Sequence, residues 1–241
     1  MTETFAALLL AHALTEFLFR NKWMSDHRTH PGAIAMHGAI SCSTGAIALG
    51  QAHPLLLALG VVHLAIDHGC RLLLPRRFGG FALDQALHLL SLLTLAACWP
   101  GLFAEGVWAQ APALAPLMPG LMTIAAGLVL SVQGGAVAIA MLLAPWQEEA
   151  PQGLPGGGRA IGSLERGLIF LLVLAGQAEA IGLLIAAKSV LRFGAVKDDL
   201  KVSEYVIIGT LASFAWAIAV AVITLFLLSG LPPLGIPDLT P

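Results

Sequence analysis

Three imidazole–carboxylate pairs stand four residues apart in this chain: His12 with Glu16, His63 with Asp67, and Asp84 with His88. Residues four apart share one face of a helix. A helix carrying such a pair offers two ligands to one ion, and metal sites in bundles are assembled this way from facing helices. His37 adds a further imidazole. The candidate metal ligands are therefore His12, Glu16, His37, His63, Asp67, Asp84 and His88. Mixed nitrogen and oxygen donors suit Zn²⁺ first, and Mn²⁺ or Fe²⁺ next, better than soft Cu⁺. Four imidazoles and three carboxylates exceed one tetrahedral shell. The surplus can build a second site, orient ligands from behind, or supply a general base, a role open to Glu16. Such pairs also serve simply to join helices by hydrogen bonds.

These groups lie in apolar surroundings. The stretch "VVHLAIDHGCRLLLP" (61–75) reads as a membrane span with His63, Asp67 and His68 inside it. The whole chain of 241 residues is 58% hydrophobic and 11% charged, with a mean hydropathy of +0.86. Soluble domains carry about 25% charged residues. The composition points to an all-α polytopic membrane bundle. A net charge of −2 gives no support to a nucleic-acid partner. Cys42, Cys70 and Cys98 show no CxxC spacing, so a thiolate metal site or a disulfide framework is not expected. The first residues lack a basic region and contain Glu3, His12 and Glu16, which favours a mature first helix over a signal peptide.

A bilayer core of about 30 Å needs about 20 apolar residues. Seven segments meet this: 3–20, 31–51, 53–74, 81–99, 117–144, 161–192 and 203–230. All eight histidines precede residue 89. The chain therefore divides into a four-helix half (1–100) bearing the His and Asp residues, and a three-helix half (101–241) with a linker at 145–160. Loop one carries Arg20, Lys22 and Arg28, and loop three carries Arg71, Arg76 and Arg77. The positive-inside bias then places loops one, three and five in the cytoplasm. Measured from loops one and three, all seven candidate ligands fall within about 5 to 15 Å along their helices, so they share one layer. Seven spans leave Arg192, Lys197 and Lys201 on the outer side, against the bias. Either the proline-rich 100–120 region hides another span or re-entrant segment, or the last helices depart from the rule.

A second cluster lies at "GRAIGSLERGLI" (158–169). Glu165 enters the membrane from the side of the histidine layer and is a candidate catalytic group within its reach. Arg166 is a candidate for holding an anionic group, for which a guanidinium fork is suited. An interfacial Glu–Arg pair is the structural alternative. Gln177 and Glu179 fall in mid-helix on this reading and need partners, whereas Lys188 and Arg192 read as interfacial anchors.

The stretches "AHALTEFLFRNKWM", "MHGAI", "HLAIDH" and "LDQALHLL", with "GRAIGSLERGLI" and "AAKSVLRF" further on, resemble a bacterial membrane-protein family known as domain of unknown function 3307. Glu16 stands where that family tends to have Asp, and Arg20 near an expected Gln. A looser resemblance, through "HRTH" at 27–30, is to bacterial membrane-bound metal-dependent hydrolases, which implies metal-assisted hydrolysis, of a lipid for instance. The reading that unites these features is a metal-dependent hydrolase of the bacterial inner membrane. It would act at the cytoplasmic leaflet on a membrane-associated or small-molecule substrate, and a homo-oligomer is compatible with it. A divalent-cation or proton-coupled transporter and a non-catalytic scaffold are the alternatives.

Overall fold

A chain surrounded by lipid must satisfy its backbone polar groups internally, which helices do within one segment. The computed structural model describes residues 1–75, 77–149, 154–193 and 200–234, without the side chains of 189–193. These residues form an all-α membrane bundle with no strand among them. Helix α1 (Thr2–Ala13) continues into a π turn at Leu14–Leu18. The short α2 (Lys22–Asp26) leads to α3 (Pro31–Leu49), α4 (Leu55–Leu73) and α5 (Phe78–Cys98). A second short helix, α6 (Val107–Gln110), precedes α7 (Met118–Val129), a further π turn (Leu130–Gly134) and α8 (Gly135–Leu143). Then come α9 (Gly157–Leu174), α10 (Glu179–Phe193) and α11 (Leu200–Ser229).

Among the described residues, five helices are long and apolar enough to cross a bilayer: α3, α4, α5, the continuous Met118–Glu149 unit and α11. Large apolar side chains such as Leu57, Val61, Ile223 and Phe226 point outward, where lipid tails rather than water receive them. Inside, Ala7, Ala13, Ala126, Ala217 and Ala221 are almost fully buried, and such small residues let membrane helices approach closely. Helix α1 packs between α3 and α7, and α9 packs along α11.

The expected single helix over 161–192 is two helices. Helix α9 stops at Leu174, and Gly176 adopts a left-handed backbone with φ of +69°. The Gln177 amide donates to Leu172 O and the Gly176 amide to Val173 O. This is a glycine-terminated helix cap of the Schellman type. Helix α10 then folds back along α9: Lys188 Nζ reaches Glu165 Oε2 at 2.6 Å, and Ile181 packs with Ile169. Gln177 and Glu179 are exposed at the turn rather than in mid-helix. Lys188 is an internal ion-pair partner rather than an interfacial anchor.

This extra reversal takes Lys201 out of the charge conflict. Lys201 Nζ at the start of α11 lies 3.3 Å from Glu149 Oε1, so it stands at the same end of the bundle as loop five. At the other end, a Cβ on Gly230 would lie 3.6 Å from Thr2 Cγ2. Lys197 lies outside the described residues, as does the side chain of Arg192. The proline-rich 100–117 stretch is not a span. It folds over the ends of α1 and α3, with Leu102 and Phe103 buried and the Trp108 indole donating to Ile47 O at 2.8 Å.

Candidate metal centre

Glu16 sits within the π turn, where the Phe19 amide reaches back five residues to Leu14 O at 2.8 Å. This widened turn is braced against α3 by the hydroxyls of Thr15 and Thr44, 2.8 Å apart. Glu16 Oε1 thereby faces His37 Nε2 at 3.0 Å and His63 Nε2 at 3.1 Å. The two imidazole nitrogens are 2.9 Å from each other. Three potential ligand atoms from the first π turn, α3 and α4 thus form a nearly equilateral triangle, and all three residues are buried. Bonds of about 2.0–2.1 Å in a tetrahedral zinc site separate ligand atoms by about 3.3 Å. Widening the triangle by a few tenths of an ångström therefore suffices for an ion, and this buried Glu–His–His group can hold one.

Arg20 closes the group from the loop-one side. Its Nη1 donates to Glu16 Oε2 at 2.6 Å, and its Nη2 donates to Asp67 Oδ2 and lies 3.4 Å from His37 Nε2. The guanidinium fixes one Glu16 oxygen and leaves the other for the imidazoles. It also occupies the place that a second cation between Glu16 and Asp67 would need. Asp67 Oδ2 itself stands 3.5 Å from His37 Nε2.

The remaining candidate ligands are close by but face elsewhere. The four rings form one continuous cluster, with centroids 4.9 Å apart for His37–His63, 4.4 Å for His63–His88 and 5.1 Å for His12–His88. His88 turns Nδ1 to Asp84 O (2.9 Å) and Nε2 to His63 O (3.3 Å). His12 Nε2 donates to Gln85 Oε1 at 3.2 Å, and Gln85 Nε2 donates to Asp84 Oδ2 at 3.0 Å. The structure therefore groups Glu16, His37 and His63 as ligand atoms, with Asp67 beside them, and sets His12, Asp84 and His88 behind them. Among the described residues, His12 Nδ1 and His37 Nδ1 are buried without a partner.

Arg20 and Gln85 are the two site residues that sequence reasoning missed. Arg20 reads as a loop charge, and Gln85 lies inside the quoted "LDQALHLL" without an assigned role. The histidines outside the membrane have local roles. His27 stacks on Trp23, and His30 caps α3 by accepting the Gly32 amide.

Glu165 and Arg166 belong to a different cluster. Arg166 is 3% exposed, and its donors go to Ser131 O (3.0 Å), Val132 O (2.8 Å), Ser213 Oγ (3.1 Å) and Ser163 Oγ (3.4 Å). It therefore clamps the second π turn. The clamp needs Gly135, where a Cβ would stand 2.7 Å from the Arg166 side chain and 2.8 Å from Trp216.

Residues 4–108 match the model of a family described as a protein of unknown function (DUF3307). No curated protein and no solved structure matches the chain. Every residue of the histidine cluster lies within the matched segment.

Proposed function

We propose that the protein is an integral-membrane metal-dependent hydrolase whose centre opens at the loop-one end of the bundle. The observation that carries this reading is the buried triangle of Glu16 Oε1, His37 Nε2 and His63 Nε2, with edges of 2.9 to 3.1 Å. A cavity of about 240 Å³ extends from the loop-one end to His37 and Asp67, which gives a substrate and water a way in. A bound divalent ion, zinc in the first instance, would polarise an ester or phosphoryl oxygen and make water nucleophilic near neutral pH. Glu16, His37 and His63 hold the ion on this reading, and Arg20 orients Glu16 from the cavity side. Asp67 borders both the cavity and His37, where it can take a proton from an entering water. The clustering of Arg20, Lys22, Arg28, Arg71 and Lys201 at this end supports a cytoplasmic orientation for it by the positive-inside bias, which in a bacterial host would be the inner face of the inner membrane.

The test is hydrolysis of carboxylic and phosphoric ester lipids by purified protein that has been stripped with chelator and refilled with Zn²⁺, Mn²⁺ or Fe²⁺. Activity should vanish on stripping, return with one of the ions, and fall at least about 100-fold in Glu16→Gln, since each ligand is needed to place the ion. Activity indifferent to chelation would contradict the assignment.

Arg20 favours a second reading. Paired with both Glu16 and Asp67, it makes the layer self-sufficient as a metal-free staple joining α1, α3 and α4. That reading expects Arg20→Gln to destabilise the fold while chelation changes nothing.

A further inference from the structure

A second cavity, of about 250 Å³, lies between α8, α9, α10 and α11, outside the matched residues 4–108. Among the described residues, its charged lining is Glu165, Arg166 and Lys188, two cations against one carboxylate. Lys188 holds that carboxylate at 2.6 Å, with the two side chains only 14% and 12% exposed. Arg166 donates to carbonyl and hydroxyl oxygens, which satisfy its hydrogens but bring no negative charge. The lining therefore carries one positive charge in excess. Inside an apolar bundle an uncompensated charge is costly, and one anion in the cavity would balance it.

The cavity also offers donors to such an anion. The Lys188 ammonium has three hydrogens. One goes to Glu165 Oε2, and the face of Phe214 lies 5.0 Å from the nitrogen. Tyr205, Thr210 and Ser213 line the same space from α11, and each hydroxyl can donate. Ser213 Oγ accepts from Arg166 Nη1 at 3.1 Å, which leaves its own hydrogen to donate onward. The other walls are apolar, among them Ile139, Leu143 and Ile161. Ile161 is 49% exposed, so the lining reaches the lipid-facing surface and a hydrocarbon chain can run out along it. Pockets for drug-sized ligands measure about 300–1,000 Å³. This smaller one suits one headgroup and the first carbons of one chain.

We infer that this cavity binds the carboxylate of a single-chain amphiphile, a fatty acid. Lys188 and the α11 hydroxyls hold the head, and Arg166 supplies charge from behind. Such binding does not require the metal centre.

The experiment is equilibrium dialysis of the purified full chain in nanodiscs of net-neutral lipid, with empty discs as the blank. The probes are decanoate, decanol, acetate and a short-chain phosphatidylglycerol, at a pH where decanoate is ionised. Decanoate should bind saturably and at least about tenfold more tightly than decanol or acetate, the scale of one charge-assisted hydrogen bond. Lys188→Gln should weaken it about tenfold. Glu165→Gln, which frees Lys188, should strengthen it. Tyr205→Phe, which removes one neutral donor, should weaken it about threefold. A purely structural ion pair would instead lower thermal stability in both charge variants and leave decanoate binding the same. Decanol or acetate binding as tightly as decanoate overturns the inference, as do folded Lys188→Gln and Glu165→Gln that both keep wild-type affinity. Phosphatidylglycerol binding more tightly than decanoate overturns the fatty acid as occupant and assigns the site to a phosphodiester lipid. Should Lys188→Gln fail to fold, Glu165→Gln and Tyr205→Phe decide.

Discussion

The two π turns of this bundle pack against each other, and each carries or receives a buried charged group, yet the two groups are treated in opposite ways. At Leu130–Gly134, Arg166 spends its donors on two backbone carbonyls and two serine hydroxyls. All four of these acceptors are supplied by the chain itself. At Leu14–Leu18, Glu16 meets side chains from two other helices, and two imidazole nitrogens nearby are buried without a partner. Buried charge alone therefore does not mark a functional site. A filled set of fixed partners indicates structure, and converging side-chain donors with open capacity indicate a place for a ligand.

The largest effect is expected at Arg166. Replacing it with Ala strands several buried acceptors, each of which costs about 1–3 kcal/mol when left unsatisfied. Thermal unfolding in detergent should show the largest drop of any single substitution here, while metal per folded molecule stays unchanged. Arg166→Lys should recover only part, because an ammonium cannot reproduce the fork. His63→Ala should do the reverse. It should abolish metal binding and cost less stability than Arg166→Ala.

Gly135→Ala sharpens the contrast from the backbone side. The added methyl collides with Arg166 and Trp216, and overpacking of this sort costs about 1–3 kcal/mol. A further test leaves stability almost untouched. Single cysteines at Asp26, Glu148 and Gln177, in a chain whose own three cysteines are replaced, should react with an impermeant thiol reagent. The first two should react from one side of the membrane and Gln177 from the other. An unreactive Gln177→Cys would restore the single 161–192 helix.

Much of the histidine cluster was legible, because depth in a membrane helix follows from counting residues. His12, His37, His63 and His88 were expected in one layer, and their rings do touch. Which nitrogen faces which neighbour was not legible. The spacing of His12 and Glu16 implies one α-helical face, but the π turn at Leu14–Leu18 widens the helix at Glu16. His12 then pairs with Gln85, and Glu16 faces His37 and His63. Nothing in the spacing signals a π turn. Arg20 escaped notice because a loop cation near the interface ordinarily faces water. The helix reversal at Gly176 did leave a signal: a glycine ending an apolar run, with an acidic Glu179 opening the next turn, is the signature of one helix stopping and another starting. Its context of unbroken hydropathy hid it. The π turn clamped by Arg166 depends on contacts over more than thirty residues of sequence, which no local pattern records.

The most direct measurement is the metal content of detergent-purified protein, for the wild type beside His63→Ala and Asp84→Ala. The triangle of Glu16, His37 and His63 predicts near-stoichiometric metal in the wild type, none in His63→Ala, and retention in Asp84→Ala, whose carboxylate is engaged by Gln85. No metal in the wild type after chelator-free purification and refilling with Zn²⁺, Mn²⁺ and Fe²⁺ would contradict the account. The cluster would then be the Arg20-centred staple.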